Sequence, residues 1–216
     1  MAEAQIPATT PRSLTDETLV RASRSLARRD RRLGRILKDH GPPPLWAREP
    51  GFATLIQIIL EQQVSLASAR ATYDRLRVAA SPLTPDRFRK LTDAKLKRVG
   101  FSRQKTTYGR ELARAIIDGR LDLDAVGAMH DDEVRATLTR IKGIGRWTAD
   151  IYLLLALGRP DVWPIADLAL AVAAQRLKRL ATCPSPDDLD RIGAAWKPWR
   201  SVAARLLWHD YLSRAR

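Results

Sequence analysis

Two short stretches of the 216-residue chain carry residues whose types and spacing can do chemistry. The first is "IKGIGRWT", Ile141 to Thr148, where Gly143 and Gly145 lie between two runs with helical periodicity and are flanked by Lys142 and Arg146. Glycines permit a tight turn there and let a rod of phosphates approach the backbone, because no Cβ stands in the way. A helix starting at about Arg146 points unpaired NH groups and a positive dipole end at the same place, with Thr148 in its first turn. Lys142 and Arg146 add full charges, and Ile144 can tuck inward to pin the turn. A plain αα-corner closed by glycines has the same spacing; the order helix, base, GIG, base, helix in a strongly basic chain favours an anion grip. The second stretch centres on Asp167, 22 residues past Gly145, at the head of "LALAVAAQRL". The dipole and NH groups of a helix start stabilise a carboxylate's negative charge. Asp167 therefore reads both as an ordinary N-cap and as a charge held ready for chemistry, and the two roles are compatible.

Charge narrows the partner. Lys and Arg number 38 against 24 Asp and Glu, a net charge of +14. Such a balance favours a polyanion, nucleic acid first, through counterion release and long-range steering; an Arg-rich compositional bias is the competing reading. A single cysteine, Cys183, excludes an intramolecular disulfide and a cluster held by four cysteines, and reads as an inert loop or packing thiol. No apolar window approaches the ~18 residues of a membrane span, and the N-terminus lacks a signal-peptide core. The expectation is a soluble, cytoplasmic, nucleoid-associated protein. His40, His130 and His209 have no ligand spacing and read as surface or cap residues.

The elements that must position these residues are all helical. Residues 1–13, with Pro7 and Pro11, read as a flexible tail, and 14–216 as the folded part. Ser13 caps a helix reaching about His40 and carrying the block "RASRSLARRDRRLGRILK", whose arginines read as a solvated face that also helps with DNA. "FATLIQIILEQQVSLASARATYDRLR" (52–77) gives two helices with a bend at Gln62 and Gln63, the second capped by Ser65. "SPLTPDRF" is a turn and cap, 102–119 a helix closed by Gly119, and 130–141 a helix with an acidic start. Further helical runs follow the glycines and end near 157, 180 and 213. No period-2 strand or Asn-Gly hairpin stands out, so the fold class is all-α.

"LTRIKGIGRWTADIYLLLALGRPDVWPIADLAL" (138–170) resembles the helix-hairpin-helix motif and downstream aspartate segment of the helix-hairpin-helix DNA glycosylase superfamily. Together with "FATLIQIILEQQVSLASARA" and "AAWKPWRSVAARLLW", it is most similar to the 3-methyladenine DNA glycosylase II branch, in a short form without that branch's N-terminal α/β domain. The resemblance runs from about Phe52 to Trp208, with the hairpin at about 132–156. It implies two helical subdomains with the active-site cleft between them. The implied substrate is duplex DNA containing damaged bases, bound by a monomer. The implied reaction is flipping out an alkylated base, of the 3-methyladenine or 7-methylguanine type, and hydrolysing its N-glycosidic bond to leave an abasic site. A non-catalytic DNA-binding or damage-sensing protein would share the hairpin.

By resemblance, Asp167 is the catalytic carboxylate, stabilising the oxocarbenium-like sugar as the bond breaks. Trp208 stacks on the flipped base, and Trp147 and Ile151 belong to the same pocket. Trp163, just before the aspartate, is either pocket or packing, while Trp196 and Trp199 read as packing. Helical geometry gives Trp208 modest support, since it lies about 200° from Leu206 at ~3.6 residues per turn. The position after Arg146, a Schiff-base lysine in bifunctional relatives such as endonuclease III, is Trp147, which cannot be that nucleophile. This implies a monofunctional enzyme. Gly143, Ile144, Gly145, Arg146, Lys142 and Thr148 form the implied DNA grip. The wedge filling the flipped base's place corresponds to Gln63, with Gln62 beside it; a polar bend is the other reading of Gln63. Lys197 and Arg200 either contact phosphate or are solvated. No cofactor is required, and the resemblance implies Na+ or K+ held by the backbone carbonyls of Thr139, Ile141 and Ile144. Cationic alkylpurines suit tryptophan faces; hypoxanthine, ethenoadenine and alkylpyrimidines remain open, as does opposite-base preference.

Overall fold

The computed structural model describes residues 13–214, and among them every regular element is helical. The expected tail at 1–13 lies outside the described residues but for Ser13. The chain divides into two compact units, one formed by Met1–Ala47 with Gly158–Arg216 and the other by Arg48–Leu157. No helix among the described residues is long and apolar enough to cross a membrane.

The Arg48–Leu157 unit is built around α3 (Phe52–Glu61), whose Leu55, Ile56, Ile58 and Ile59 are fully buried. A helix apolar over most of its circumference belongs at the centre of a packed layer, and α3 packs against α4 (Leu66–Ala79), α7 (Arg103–Ile117) and α10 (Arg146–Leu155). Short helices α5 (Pro85–Lys90), α6 (Asp93–Val99) and α8 (Leu123–Ala128) fill in around them. The segment read as a turn and cap at "SPLTPDRF" does cap a helix, α5, with Thr84 accepting the Arg87 amide at 3.3 Å. Ser65 caps α4 as expected, and Ser102, the first residue of the helix expected over 102–119, is the cap of α7. α9 (Asp131–Thr139) begins at His130, whose amide donates to Glu133 at 2.9 Å, and packs on α10.

In the other unit α13 (Arg200–Arg214) is central, with Ser201 to Leu207 all buried against α1 (Asp16–Arg29), α2 (Arg31–His40), α11 (Leu168–Lys178) and α12 (Pro186–Ala194). The single helix expected over 13–40 is a pair. Thr15, not Ser13, caps the first, in a reciprocal exchange with Thr18. The break falls at Asp30 because its carboxylate has better partners than a continuing helix offers. It caps the Arg32 amide at 2.9 Å and accepts the Trp196 indole NH at 3.1 Å and the Lys178 ammonium at 3.3 Å. Such long-range partners leave no trace in local periodicity.

Candidate nucleic-acid interface and base site

The two glycines of the hairpin do different work. Gly143 sits at φ +96°, a region closed to most side chains, and a Cβ there would collide with the ring of Tyr108 on α7. It is a packing requirement. Gly145, by contrast, has an ordinary φ of −90° and open space where a Cβ would stand. It is the N-cap of α10 and brings no side chain to that helix start, so the first-turn amides receive no cap from Gly145. Ile144 is buried and pins the turn as expected, its amide donating to the Ile141 carbonyl at 3.0 Å.

Charges around this turn are held in place. Lys142 is exposed. Arg146 keeps its guanidinium largely exposed while donating to Asp150 at 3.1 Å. Asp150 is fully buried and takes a second guanidinium, Arg135, at 2.6 Å. Burial lowers the pKa of the Arg135 guanidinium, but its hydrogen bond and attraction to Asp150 raise it further, so the net shift is upward. The Arg146–Asp150 partnership was legible as an i,i+4 pair; the Arg135 contribution was not.

Gln62 requires a correction. Its side-chain amide donates to the Gly143 carbonyl and to the Thr148 hydroxyl, both at 2.9 Å. With both N–H bonds of that nitrogen engaged, Gln62 is a brace between the α3–α4 turn and the hairpin, not a wedge. Thr148 is corrected with it: the side chain is buried and occupied by Gln62, so only its backbone amide can serve a phosphate. Lys105 supports the same corner from α7, donating to the Leu60 carbonyl at 2.7 Å, and burial pulls its ammonium below the ordinary lysine value. Gln63 is exposed at the tip with φ +55°, a left-handed conformation that glutamine seldom adopts.

The base-site candidates on the Met1–Ala47/Gly158–Arg216 unit meet at one carboxylate. Asp167 caps α11, its Oδ1 accepting the Leu170 amide at 2.7 Å and the Trp208 indole NH at 3.0 Å. Both side chains are half-buried, and Leu168, next in sequence, is 74% exposed. The loop that delivers Asp167 is clamped to the start of α13. Arg200 makes a two-pronged pair with Asp161 at 3.0 and 2.9 Å, and the Ser201 hydroxyl accepts from the Val162 amide and donates to its carbonyl. Arg200 is thereby a structural clamp, neither solvated nor aimed at phosphate.

Trp163 also resolves into packing. Only 3% exposed, it donates its NH to the Leu189 carbonyl at 2.9 Å and meets Trp196 edge-on at 5.3 Å. Trp196 is buried as expected. In the Arg48–Leu157 unit, Trp147 is half-buried and Ile151 is buried on α10. The Ile141 carbonyl spends one lone pair on Ile144, and Thr139 closes α9, where terminal carbonyls lack intrahelical partners.

The chain belongs to the HhH-GPD superfamily of base excision DNA repair proteins, whose sequence profile matches residues 56–200. It is 28% identical to DNA-3-methyladenine glycosylase 1 of Schizosaccharomyces pombe over 182 residues, 82% of this chain and 80% of the relative. YfjP of Bacillus subtilis is 29% identical over 186 residues, 82% of this chain but 65% of the length of that relative. Among solved structures, S. pombe 3-methyladenine DNA glycosylase (Mag1) in complex with abasic DNA matches with a TM-score of 0.83 at 28% identity, over 87% of this chain and 95% of that one. DNA-3-methyladenine glycosidase from Bacillus halodurans matches at 0.75 and 30% identity, over 93% and 92%.

Proposed function

We propose that this chain is a monofunctional DNA glycosylase that hydrolyses the N-glycosidic bond of alkylated bases, of the 3-methyladenine or 7-methylguanine type, in duplex DNA. The observation that carries the reading is the Asp167–Trp208 pair: one carboxylate fixed by a helix start and an indole NH, beside an aromatic ring. With its NH committed to Asp167, what the half-buried Trp208 offers a flipped base is its face, and an indole face suits a cationic alkylpurine. Asp167 stabilises the positive charge that develops on the sugar as the C1′–N bond breaks. Water supplies the oxygen that replaces the base, leaving an abasic site. Trp147, at the position after Arg146, brings no amine for a Schiff base.

The uncapped α10 start, with the exposed Gly145, Lys142 and Arg146, grips the sugar-phosphate backbone. Carbonyls of Thr139, Ile141 and Ile144 would hold Na+ or K+ there, a charge that strengthens the same grip. Gln63 at the exposed tip is the wedge. A duplex-DNA substrate sets a cytoplasmic, nucleoid-associated place of action, with the chain acting as a monomer.

The test is base release from methylated duplex, comparing the unaltered chain with Asp167→Asn. Asparagine keeps an oxygen for the Leu170 amide and the Trp208 NH, so the fold and DNA binding persist while the charge is lost. The expected result is a fall in the single-turnover rate of about 100-fold or more, the scale of losing one preorganised electrostatic group. Retained turnover would overturn the role of Asp167; no base released from any lesion by the unaltered chain would make it a binding protein instead.

A further inference from the structure

The exposed basic residues of α1 and α2 include a set without carboxylate partners, in contrast to the arginines that brace the fold. Arg48, Arg70, Arg110, Arg135, Arg146, Arg200 and Arg214 each hold a carboxylate at 2.5–3.1 Å. Arg21, Arg24, Arg28, Arg31, Arg35 and Lys38 are exposed, and among the described residues none of them has a carboxylate within salt-bridge distance. Their neighbour Arg29, turned away from this set, is spent on the carbonyls of Lys197 and Ala195.

Spacing aligns the six. At ~100° per residue, Arg21, Arg24 and Arg28 fall within about 60° of one another on α1. The buried residues of that helix, Leu19, Ala22, Ser23 and Leu26, occupy the opposite arc. Arg31, Arg35 and Lys38 repeat the pattern on α2, opposite its buried Leu33 and Ile36. The buried faces of both helices pack against each other and α13, so the cationic stripes point away from α13, which carries Trp208.

We infer that the outer face of α1 and α2 is a second DNA-backbone surface, separate from the base site, which holds duplex in a sequence-independent way. The inference rests on the glycosylase reading for its choice of polyanion. Its chemistry suits phosphate: the stripes present guanidinium groups, which match the phosphate oxyanion in two-pronged geometry. They interleave no exposed aromatic or large aliphatic side chain, which a protein interface core or a membrane surface would need. Point charges without an apolar anchor grip a regular polyanion and little else. A surface of this kind adds affinity for undamaged DNA and keeps the protein on the duplex between lesions.

The experiment is the salt dependence of binding to an undamaged duplex, using the full chain and the triple variant Arg21→Gln, Arg24→Gln, Arg28→Gln. Each phosphate contact contributes about 0.9 to the slope of log K against log salt, so the variant's slope falls by about 2–3. A triple Arg→Lys variant, which keeps the charges, retains the slope. An unchanged slope in the glutamine variant overturns the proposal. So does an equal fall in a control that removes the same charge elsewhere, Lys90→Gln, Lys97→Gln, Arg98→Gln, because the effect would then be net charge alone. Stripe-dependent binding to poly-glutamate that is tighter than to duplex, at equal salt, would move the surface to an acidic protein partner and also overturns it. Base release by the unaltered chain, measured separately, tests the glycosylase reading, so the two can fail independently.

Discussion

Removing the Gln62 amide should loosen the hairpin by an amount its geometry allows to be worked out. Two hydrogen bonds of 2.9 Å leave one nitrogen, for the Gly143 carbonyl and the Thr148 hydroxyl. At about 0.5–1.5 kcal/mol net for each neutral bond, Gln62→Ala removes about 1–3 kcal/mol. In a chain of this size that lowers the thermal midpoint by roughly 2–4 °C per kcal/mol. Thr148→Val removes one of the two bonds and costs about 1 kcal/mol. Because both variants break the same Gln62–Thr148 bond, the double variant is less destabilised than the sum, with a coupling of about 1 kcal/mol in a double-mutant cycle followed by urea unfolding. Gln62→Glu is the sharpest probe: near neutral pH it faces the Gly143 carbonyl with an oxygen where a donor stood, and is less stable than Gln62→Ala. Additive single variants, or a Gln62→Glu chain as stable as the unaltered one, would refute the brace.

Two further predictions follow from single residues. Burial raises the pKa of the Asp30 carboxyl, but the Trp196 indole, the Arg32 amide and the Lys178 ammonium outweigh it and leave the net value below the ordinary 3.8. A carboxyl depressed in the folded state contributes stability above its unfolded pKa and loses it as pH falls through the folded one. Stability measured by urea unfolding therefore drops below about pH 4, and less steeply in Asp30→Asn, which is already less stable at pH 7. Gln63→Gly relieves a left-handed residue that costs about 1 kcal/mol, so the variant melts no lower than the unaltered chain; base release from methylated duplex nonetheless falls at least tenfold if the side chain is the wedge, and unchanged release would remove that role.

Much of the scaffold was readable because its signals are local. The caps Ser65 and Asp167 and the GIG turn act within three or four residues of themselves, so pattern alone locates the helices they start. The Asp30 break, the Gln62 brace and the Arg200–Asp161 clamp were not readable, because each depends on partners that are brought together only by the fold: Trp196 and Lys178 lie well over a hundred residues from Asp30. For the site, the sequence pointed to Asp167 and Trp208, but not to the hydrogen bond between them. It also assigned pocket or DNA roles to Trp163 and Thr148, whose side chains packing had already claimed. A tryptophan or threonine near a motif carries the same letters whether it faces a ligand or a neighbour, and only burial separates the two.

The two meanings of Asp167 turn out to be one device. An N-cap must present an oxygen to the amide three residues on, and that requirement fixes the side chain's rotamer. Oδ1 takes both the Leu170 amide and the Trp208 NH, so bonds from two different helices hold the carboxylate in one orientation. The Asp161–Arg200 and Ser201–Val162 contacts then tie the loop to the same helix that carries Trp208, so carboxylate and ring share one rigid frame. In the proposed reaction, a charge held in this way needs little reorganisation when a cationic sugar forms, which is the condition under which electrostatic stabilisation is strongest. Substituting Asp167 by Ala removes cap, orientation and charge together, whereas Asn removes the charge alone; the difference between those two variants measures how much of the rate comes from charge and how much from placement.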